Sequence, residues 1–218
     1  MLSSICQVKS LPKYLSKSLL LLGILSISHP LWAVFEIGGN YSYDRQVYGE
    51  DRKDYSTERI YSAYIAKYLF NLTAIELNLS HSRSVTVGYP DALIEGTTYK
   101  VTETRTDVET DVWGVGLRQS FAQREAFLVP MLSLGYARQI SYATGYLEFT
   151  NTTTGNSFLS DNPTSKRSQN SVFGTFTLKL RLTKFLSLTG SANTVFPAFE
   201  FDKIRNNLKY SVGFSWMF

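Results

Sequence analysis

The sequence predicts an all-β protein whose eight strands form one antiparallel, up-and-down barrel. From residue 34 onward, apolar residues alternate with polar or small ones, which is the period of a strand with one buried face. The connections between these strands alternate between short and long. In the final segment, residues 208–218, one face carries Leu, Tyr, Val, Phe and Trp, while the other carries Lys, Ser, Gly and Met.

The first 33 residues predict a signal peptide that is cleaved on export, at or near Ala33. Three lysines precede the apolar run 19–25, and His29-Pro30 ends it, as in secretory signals. The run is too short to cross a hydrocarbon layer of roughly 30 Å. We therefore predict a signal peptide over residues 1–33 and one barrel domain over residues 34–218.

Export also explains the charge of the chain. Its 22 Lys and Arg exceed its 18 Asp and Glu, but three of the lysines belong to the signal segment, so the remainder is nearly neutral. A near-neutral chain argues against a nucleic-acid partner, which would require a basic surface. The one cysteine, Cys6, also lies in the signal segment. Because residues 34–218 contain no cysteine and only one histidine, we predict no disulfide, no metal site and no cofactor.

The alternating pattern predicts strands near residues 34–46, 57–69, 73–88, 103–121, 126–144, 170–183, 186–197 and 207–218. The second of these, 57–69, is apolar on both faces, so its phase stays open. Short connections follow the second, fourth and sixth strands, and long polar ones follow the first, third, fifth and seventh. An even strand count with this alternation is typical of a membrane-spanning barrel with tight turns at one end and long loops at the other.

The two faces of the strands decide which side is outside. The polar face carries small residues and charges of both signs, which fit the narrow interior of eight strands and can pair there. The apolar face has aromatic residues at its strand ends, as expected at two membrane interfaces. A soluble ligand carrier would instead turn its apolar face inward. We predict a lumen charge network that plugs the barrel together with polar side chains, formed by Glu36, Asp44, Glu76, Arg118, Lys179, Arg181 and Lys209.

The last nine residues carry a family resemblance. Tyr210, Phe214, Trp216 and the terminal Phe218 resemble the signal by which bacterial outer-membrane proteins are recognised for barrel assembly. The layout of residues 34–218 resembles the small eight-stranded outer-membrane barrels typified by OmpX and the OmpA transmembrane domain. The resemblance implies a place in the outer membrane of a Gram-negative cell envelope. It also implies contact with the barrel-assembly machinery, outer-membrane lipid and lipopolysaccharide.

For function, the sequence favours a non-enzymatic barrel with a structural or surface-interaction role through its extracellular loops. The longest of these, Gly145 to Gln169, contains aromatic and basic residues that could contact a host or phage surface ligand. The predicted contacts are Tyr146, Phe149, Phe158, Lys166 and Arg167.

Two alternatives stay open. The first is a lipid A-modifying enzyme of the deacylase kind, centred on His81, the one histidine of the barrel domain. That family places a serine two residues after the histidine, and Arg83 occupies this position here, so no catalytic residue is predicted. The second is a narrow pore for small solutes, although eight strands leave an interior just wide enough for side chains.

Overall fold

A computed structural model describes residues 34–49, 51–197 and 207–218. The predicted signal peptide and most of the predicted fourth external loop lie outside these residues, so cleavage near Ala33 stays a prediction. Among the described residues, no helix is long and apolar enough to cross a membrane.

Nine strands make up the described part of the chain: β1 (Phe35–Tyr48), β2 (Asp54–Tyr68), β3 (Thr73–Gly88), β4 (Ala92–Leu93), β5 (Tyr99–Ser120), β6 (Leu128–Asn151), β7 (Ser157–Arg181), β8 (Leu186–Pro197) and β9 (Lys209–Met217). The eight long strands pair antiparallel in chain order, with β4 lying only along the start of β5. Since β9 also pairs with β1, the sheet closes on itself. This confirms the predicted eight-stranded up-and-down barrel.

The structure resolves the phase of β2. Tyr64, Ala66 and Tyr68 point into the lumen and are almost fully buried, whereas Tyr61 and Ile65 lie on the outer face. The lumen face of β2 therefore carries two large aromatic side chains. We call the end of the barrel with the short turns β2–β3, β5–β6 and β7–β8 the inner end, and the opposite end the outer end.

The third external connection is not the long loop that the sequence predicts. β6 continues to Asn151 and β7 begins at Ser157, so most of the segment 145–169 is a paired hairpin in which Phe149 faces Phe158. Similarly, β5 starts at Tyr99 instead of residue 103. Beyond the barrel wall both faces of a hairpin meet water, so the apolar period disappears while backbone pairing continues.

Glycines on the lumen face make room for the aromatic rings that fill the inner half. A Cβ at Gly38 would lie 2.3 Å from Cζ of Tyr64, and one at Gly135 would lie 2.4 Å from Cε1 of Phe173. Both rings are buried. These positions therefore need glycine because of close approach, not because of an unusual backbone angle.

Candidate functional site

Glu36 lies at the centre of the inner lumen and is completely buried. Its carboxylate accepts three hydrogen bonds of 2.9 Å or less from neighbouring side chains. Lys179 Nζ lies 2.8 Å from Oε2, the Tyr64 hydroxyl lies 2.9 Å from Oε1, and the Tyr68 hydroxyl lies 2.9 Å from Oε2. The two tyrosines come from the adjacent strand β2, whereas Lys179 reaches Glu36 from β7 across the lumen.

Arg118 joins Glu36 to a second buried carboxylate, Glu76. Arg118 Nε lies 2.6 Å from Glu76 Oε2, and Nη1 lies 3.5 Å from Glu36 Oε1. The guanidinium also lies 4.0 Å above the Tyr64 ring, and the Ser133 hydroxyl donates to Glu76 at 2.8 Å. We call Glu36, Glu76, Arg118 and Lys179 the ion cluster. Its two positive and two negative charges balance, as charges removed from water require.

A third cation covers the inner end below the ion cluster. Arg124, in the turn between β5 and β6, donates to the carbonyls of Asn71 at 2.9 Å and Phe70 at 3.1 Å. Its guanidinium lies 4.5 Å from the centre of the Tyr68 ring. Arg124 therefore folds across the mouth of the barrel and packs on a side chain that itself binds Glu36.

The predicted lumen network needs a correction, because only four of its seven members belong to the ion cluster. Arg181 lies at the inner rim and donates to the carbonyls of Thr183 and Arg124 instead of to a carboxylate. Asp44 accepts a hydrogen bond from Gln46 Nε2 at 3.0 Å. Arg181 and Asp44 therefore lie near the ends of their strands, and their charged groups are outside the packed inner lumen.

The outer half of the lumen is different in character. Lys209, the remaining predicted member, pairs there with Glu58, which the sequence analysis did not single out. Both side chains are partly exposed, and they line a cavity of about 200 Å³ above the ion cluster. Much of the remaining wall consists of neutral polar side chains: Asn40, Ser62, Asn78, Thr110, Gln139 and Asn193.

The outer face of the barrel is apolar and aromatic. Large side chains such as Leu77, Val115 and Phe214 are each about half exposed, and so are their neighbours on every long strand. Aromatic pairs flank this belt, with Phe185 stacked on Trp216 near the inner end and Tyr41 against Tyr61 further out. A closed barrel with polar side chains inside and an apolar wall outside has lipid as its surrounding solvent.

The chain is a membrane-spanning β-barrel. The four predicted assembly residues, Tyr210, Phe214, Trp216 and Phe218, all lie on its outer face with 46–71% of their surface exposed. Their placement leaves these side chains accessible at the last strand. Recognition of this strand by the assembly machinery stays a prediction.

Solved structures of other barrels resemble this one. The OprF N-terminal barrel domain of Pseudomonas aeruginosa shares 12% identity, with 85% of this chain and 98% of that chain covered, at a TM-score of 0.47. OprG of the same organism shares 12%, with 85% and 96% covered, at 0.48, and Ail of Yersinia pestis shares 12%, with 85% and 99% covered, at 0.41. No family model and no curated protein matches the chain. Identities this low concern the fold alone.

The predicted extracellular contact residues fall into two groups. Phe149 and Phe158 stack at 5.0 Å on the β6–β7 hairpin, where Tyr99 packs edge-on against Phe158 at 5.5 Å. Lys166, Arg167 and Tyr146 lie elsewhere on the same pair of strands, and Lys166 Nζ lies 5.3 Å from the centre of the Tyr142 ring. Nearby on the outer surface, the Glu103 carboxylate raises the pKa of Tyr89.

Sequence reasoning missed the aromatic residues of the inner lumen and the cation at its mouth. Tyr64 and Tyr68 supply hydrogen bonds to Glu36, Phe173 fills space beside the glycines, and Arg124 covers the mouth. The one available signal was the two-residue spacing of Tyr64, Ala66 and Tyr68. It was ambiguous because the opposite face of β2 is also partly apolar.

Proposed function

We propose that this barrel is non-enzymatic, does not conduct, and acts through the β-structure that it presents outside the cell. The observation that carries the first part is the ion cluster with its aromatic surroundings. Glu36, Glu76, Arg118 and Lys179 each have at most 3% of their surface exposed. A continuous water path would expose at least some of these charges, so the inner lumen is a plug.

The unequal strand lengths support an extracellular role. β5, β6 and β7 have 22, 24 and 25 residues, whereas β8 and β9 have 12 and 9. About 9–11 tilted residues are enough to cross the membrane. The three long strands therefore extend well beyond the outer leaflet, where a host or phage surface ligand and neighbouring lipopolysaccharide are the partners that we propose.

Conductance tests the plug. Purified wild-type barrel in planar bilayers should give no large, stable channels. Replacing all four cluster residues with Ala should give a small but steady conductance, because it leaves space at the narrowest point without stranding a charge. Heat-dependent mobility on gels would verify that this variant is folded. Large wild-type channels would contradict the proposal and favour the alternative of a narrow pore.

Cell binding tests the extracellular role. Cells that present the wild type would be compared with cells that present a variant lacking Glu148–Leu159, the far part of the β6–β7 hairpin. Gly190→Ala, at a lipid-facing position with open space around it, provides the matched control. We expect the shortened barrel to lose adhesion to epithelial monolayers or adsorption of phage while the control keeps it. Equal binding by all three would contradict this role.

The enzyme alternative has one observation in its favour. His81 Nδ1 lies 2.8 Å from Asp111 Oδ1 on the outer face, which is the geometry of a base and its orienting carboxylate. However, the adjacent Ser80 and Ser82 lie on the lumen face of β3, and the outer-face neighbours across β2 and along β3 are Tyr61, Leu79 and Arg83. A nucleophilic hydroxyl of Ser or Thr is not among these neighbours.

Lipid A treated with the purified barrel would separate the two hypotheses. We expect no release of fatty acid with the wild type and none with His81→Ala. Release that depends on His81 would overturn the non-enzymatic assignment.

A further inference from the structure

A concave site, separate from the lumen, lies on the outer wall of the barrel. β3, β5 and β6 supply most of its lining: Arg83, Asp107, Glu109, Tyr142, Thr144 and Tyr146. The cavity has a volume of about 380 Å³, which is within the range of small-molecule sites. We call it the outer-wall niche.

The position of the niche relates it to the lipid belt. On β3 and β5, Leu79 pairs with Trp113, and these two outer-face side chains are 48% and 63% exposed. Two residues further toward the outer end, His81 pairs with Asp111, and two further again Arg83 pairs with Glu109. The outer faces of β3 and β5 therefore change from apolar to polar and charged side chains between one residue pair and the next, as expected at the boundary between acyl chains and headgroups.

The polar groups of the niche are held in place. Arg83 binds Asp107 in a bidentate manner, with Nε 3.1 Å from Oδ1 and Nη2 2.5 Å from Oδ2. The hydroxyls of Thr144 and Thr164 lie 3.1 Å apart. In contrast, Glu109 Oε1 is 3.8 Å from Arg83 Nε and its side chain is 51% exposed, so this carboxylate retains capacity to accept hydrogen bonds.

The chemistry of the niche selects among the components of a membrane surface. A phosphate is disfavoured, because Arg83, the one cation among the lining residues, is already paired with Asp107 and lies beside a second carboxylate, while the nearby Lys166 ammonium packs on the Tyr142 ring. An acyl chain is disfavoured by the charged and hydroxyl-bearing wall. A sugar ring suits it, because its C–H face can pack on the ring of Tyr146 while its hydroxyls donate to Glu109 and bond with the threonines.

We infer that the outer-wall niche binds a sugar ring in the headgroup of an outer-leaflet glycolipid. A bound headgroup at this position would let its acyl chains follow the wall past Leu79 and Trp113. This continuity with the lipid-facing belt favours a membrane glycolipid over a free glycan. The inference rests on the place of the barrel in the outer membrane, but not on the extracellular binding role or on the plug.

Binding to full-length barrel in detergent micelles tests the inference with three probes: purified lipopolysaccharide, the lipid-free oligosaccharide released from it, and phosphatidylglycerol. The niche variant is Tyr146→Ala with Glu109→Gln. Its control is Tyr43→Ala with Glu95→Gln, which changes the same residue types at exposed positions that do not line the niche. Heat-dependent gel mobility would show that both variants are folded.

We expect lipopolysaccharide to bind the wild type more tightly than the oligosaccharide does. The niche variant should weaken both by about tenfold, equivalent to about 1.4 kcal/mol, while the control stays within about twofold. Phosphatidylglycerol should bind equally to all three proteins.

Three results would overturn the inference. Equal weakening of phosphatidylglycerol would indicate a charge site, and unchanged lipopolysaccharide binding in the niche variant would indicate contact through acyl chains alone. Oligosaccharide binding as tight as that of lipopolysaccharide would point to a soluble glycan. None of these results depends on conductance or cell adhesion, so this inference can fail while the proposed function stands.

Discussion

The inner and outer halves of the lumen have the same circumference of eight strands but hold their charges differently. In the inner half, the carboxylate of Glu36 has no exposed surface and binds two cations and two tyrosines. In the outer half, Lys209 and Glu58 form one pair whose side chains are 30% and 22% exposed beside a cavity. The difference comes from neutral residues, because Tyr64, Tyr68 and Phe173 exclude water from one half only.

The comparison teaches that a charged lumen is not in itself a plug. An ion pair beside a cavity can exchange its partner for water, so it contributes little to closure or to stability. A buried cluster loses that alternative, and each member depends on all the others.

The largest expected effect is that of Arg118→Ala. This substitution leaves Glu36 and Glu76 in a buried site with one cation fewer, which should lower the free energy of unfolding by about 3–5 kcal/mol. Urea titration of the barrel in lipid vesicles, followed by tryptophan fluorescence, measures the change. A double variant, Arg118→Ala with Glu76→Ala, should recover part of the loss. No recovery would indicate that packing on the Tyr64 ring, not the stranded charge, sets the cost.

Gly38→Ala should have the next largest effect, because its new methyl group would meet the Tyr64 ring at 2.3 Å. Overpacking of this kind costs about 1–3 kcal/mol, and the same urea titration would detect it. Gly190→Ala, which adds a methyl group in open space on the lipid face, should change stability by less than about 0.5 kcal/mol. Equal effects at the two positions would show that the inner half is not tightly packed.

Lys209→Met should have a smaller effect than Arg118→Ala, although both remove a lumen cation. The partly exposed pair with Glu58 should contribute about 1 kcal/mol or less, and Glu58 can turn to the water of the cavity. Urea titrations at low and high salt would measure the loss and its screening. A loss as large as that of Arg118→Ala would remove the distinction between the two halves.

Deletion of Glu148–Leu159 should have the smallest effect on the barrel itself. Residues 148–151 pair with the start of β5 as well as with β7, and the deleted segment lies beyond the part of the strands that closes the lumen. We expect the midpoint of unfolding to stay nearly unchanged, with a difference of about 0.5 kcal/mol or less. A marked loss would mean that the β6–β7 hairpin supports the wall, and a circular dichroism spectrum with reduced strand content would reveal this.

Most of the fold could be predicted from the sequence, because a wall with lipid on one side imposes a strict two-residue period. That period places Glu36, Glu76, Arg118 and Lys179 on the lumen side without any knowledge of the pairing. The period does not assign residues to a face wherever both faces of a strand have similar surroundings. Such places are β2, where Tyr61 and Tyr64 are both aromatic, and the far part of β6 and β7, where both faces meet water.

The composition of the ion cluster could not be predicted for a different reason. The period gives the side of a residue but not its height in the barrel, which depends on the register between strands. Arg181 and Asp44 have lumen parity but lie near opposite ends, so they do not reach the cluster. Arg124 belongs to a turn, so the two-residue period of a strand does not apply to it, and its side chain reaches Tyr68 only by folding back.

The contact between Glu36 and Lys179 has a kinetic consequence. These residues are 143 positions apart, and Arg118 is 82 positions from Glu36. Contacts of such separation form late, because the intervening chain must first be ordered. An assembly intermediate that contains β1 but not β7 would hold the Glu36 carboxylate with part of its partners missing. Completion of the cluster therefore requires β7 to be in place, so a half-built barrel would leave Glu36 without the ammonium of Lys179.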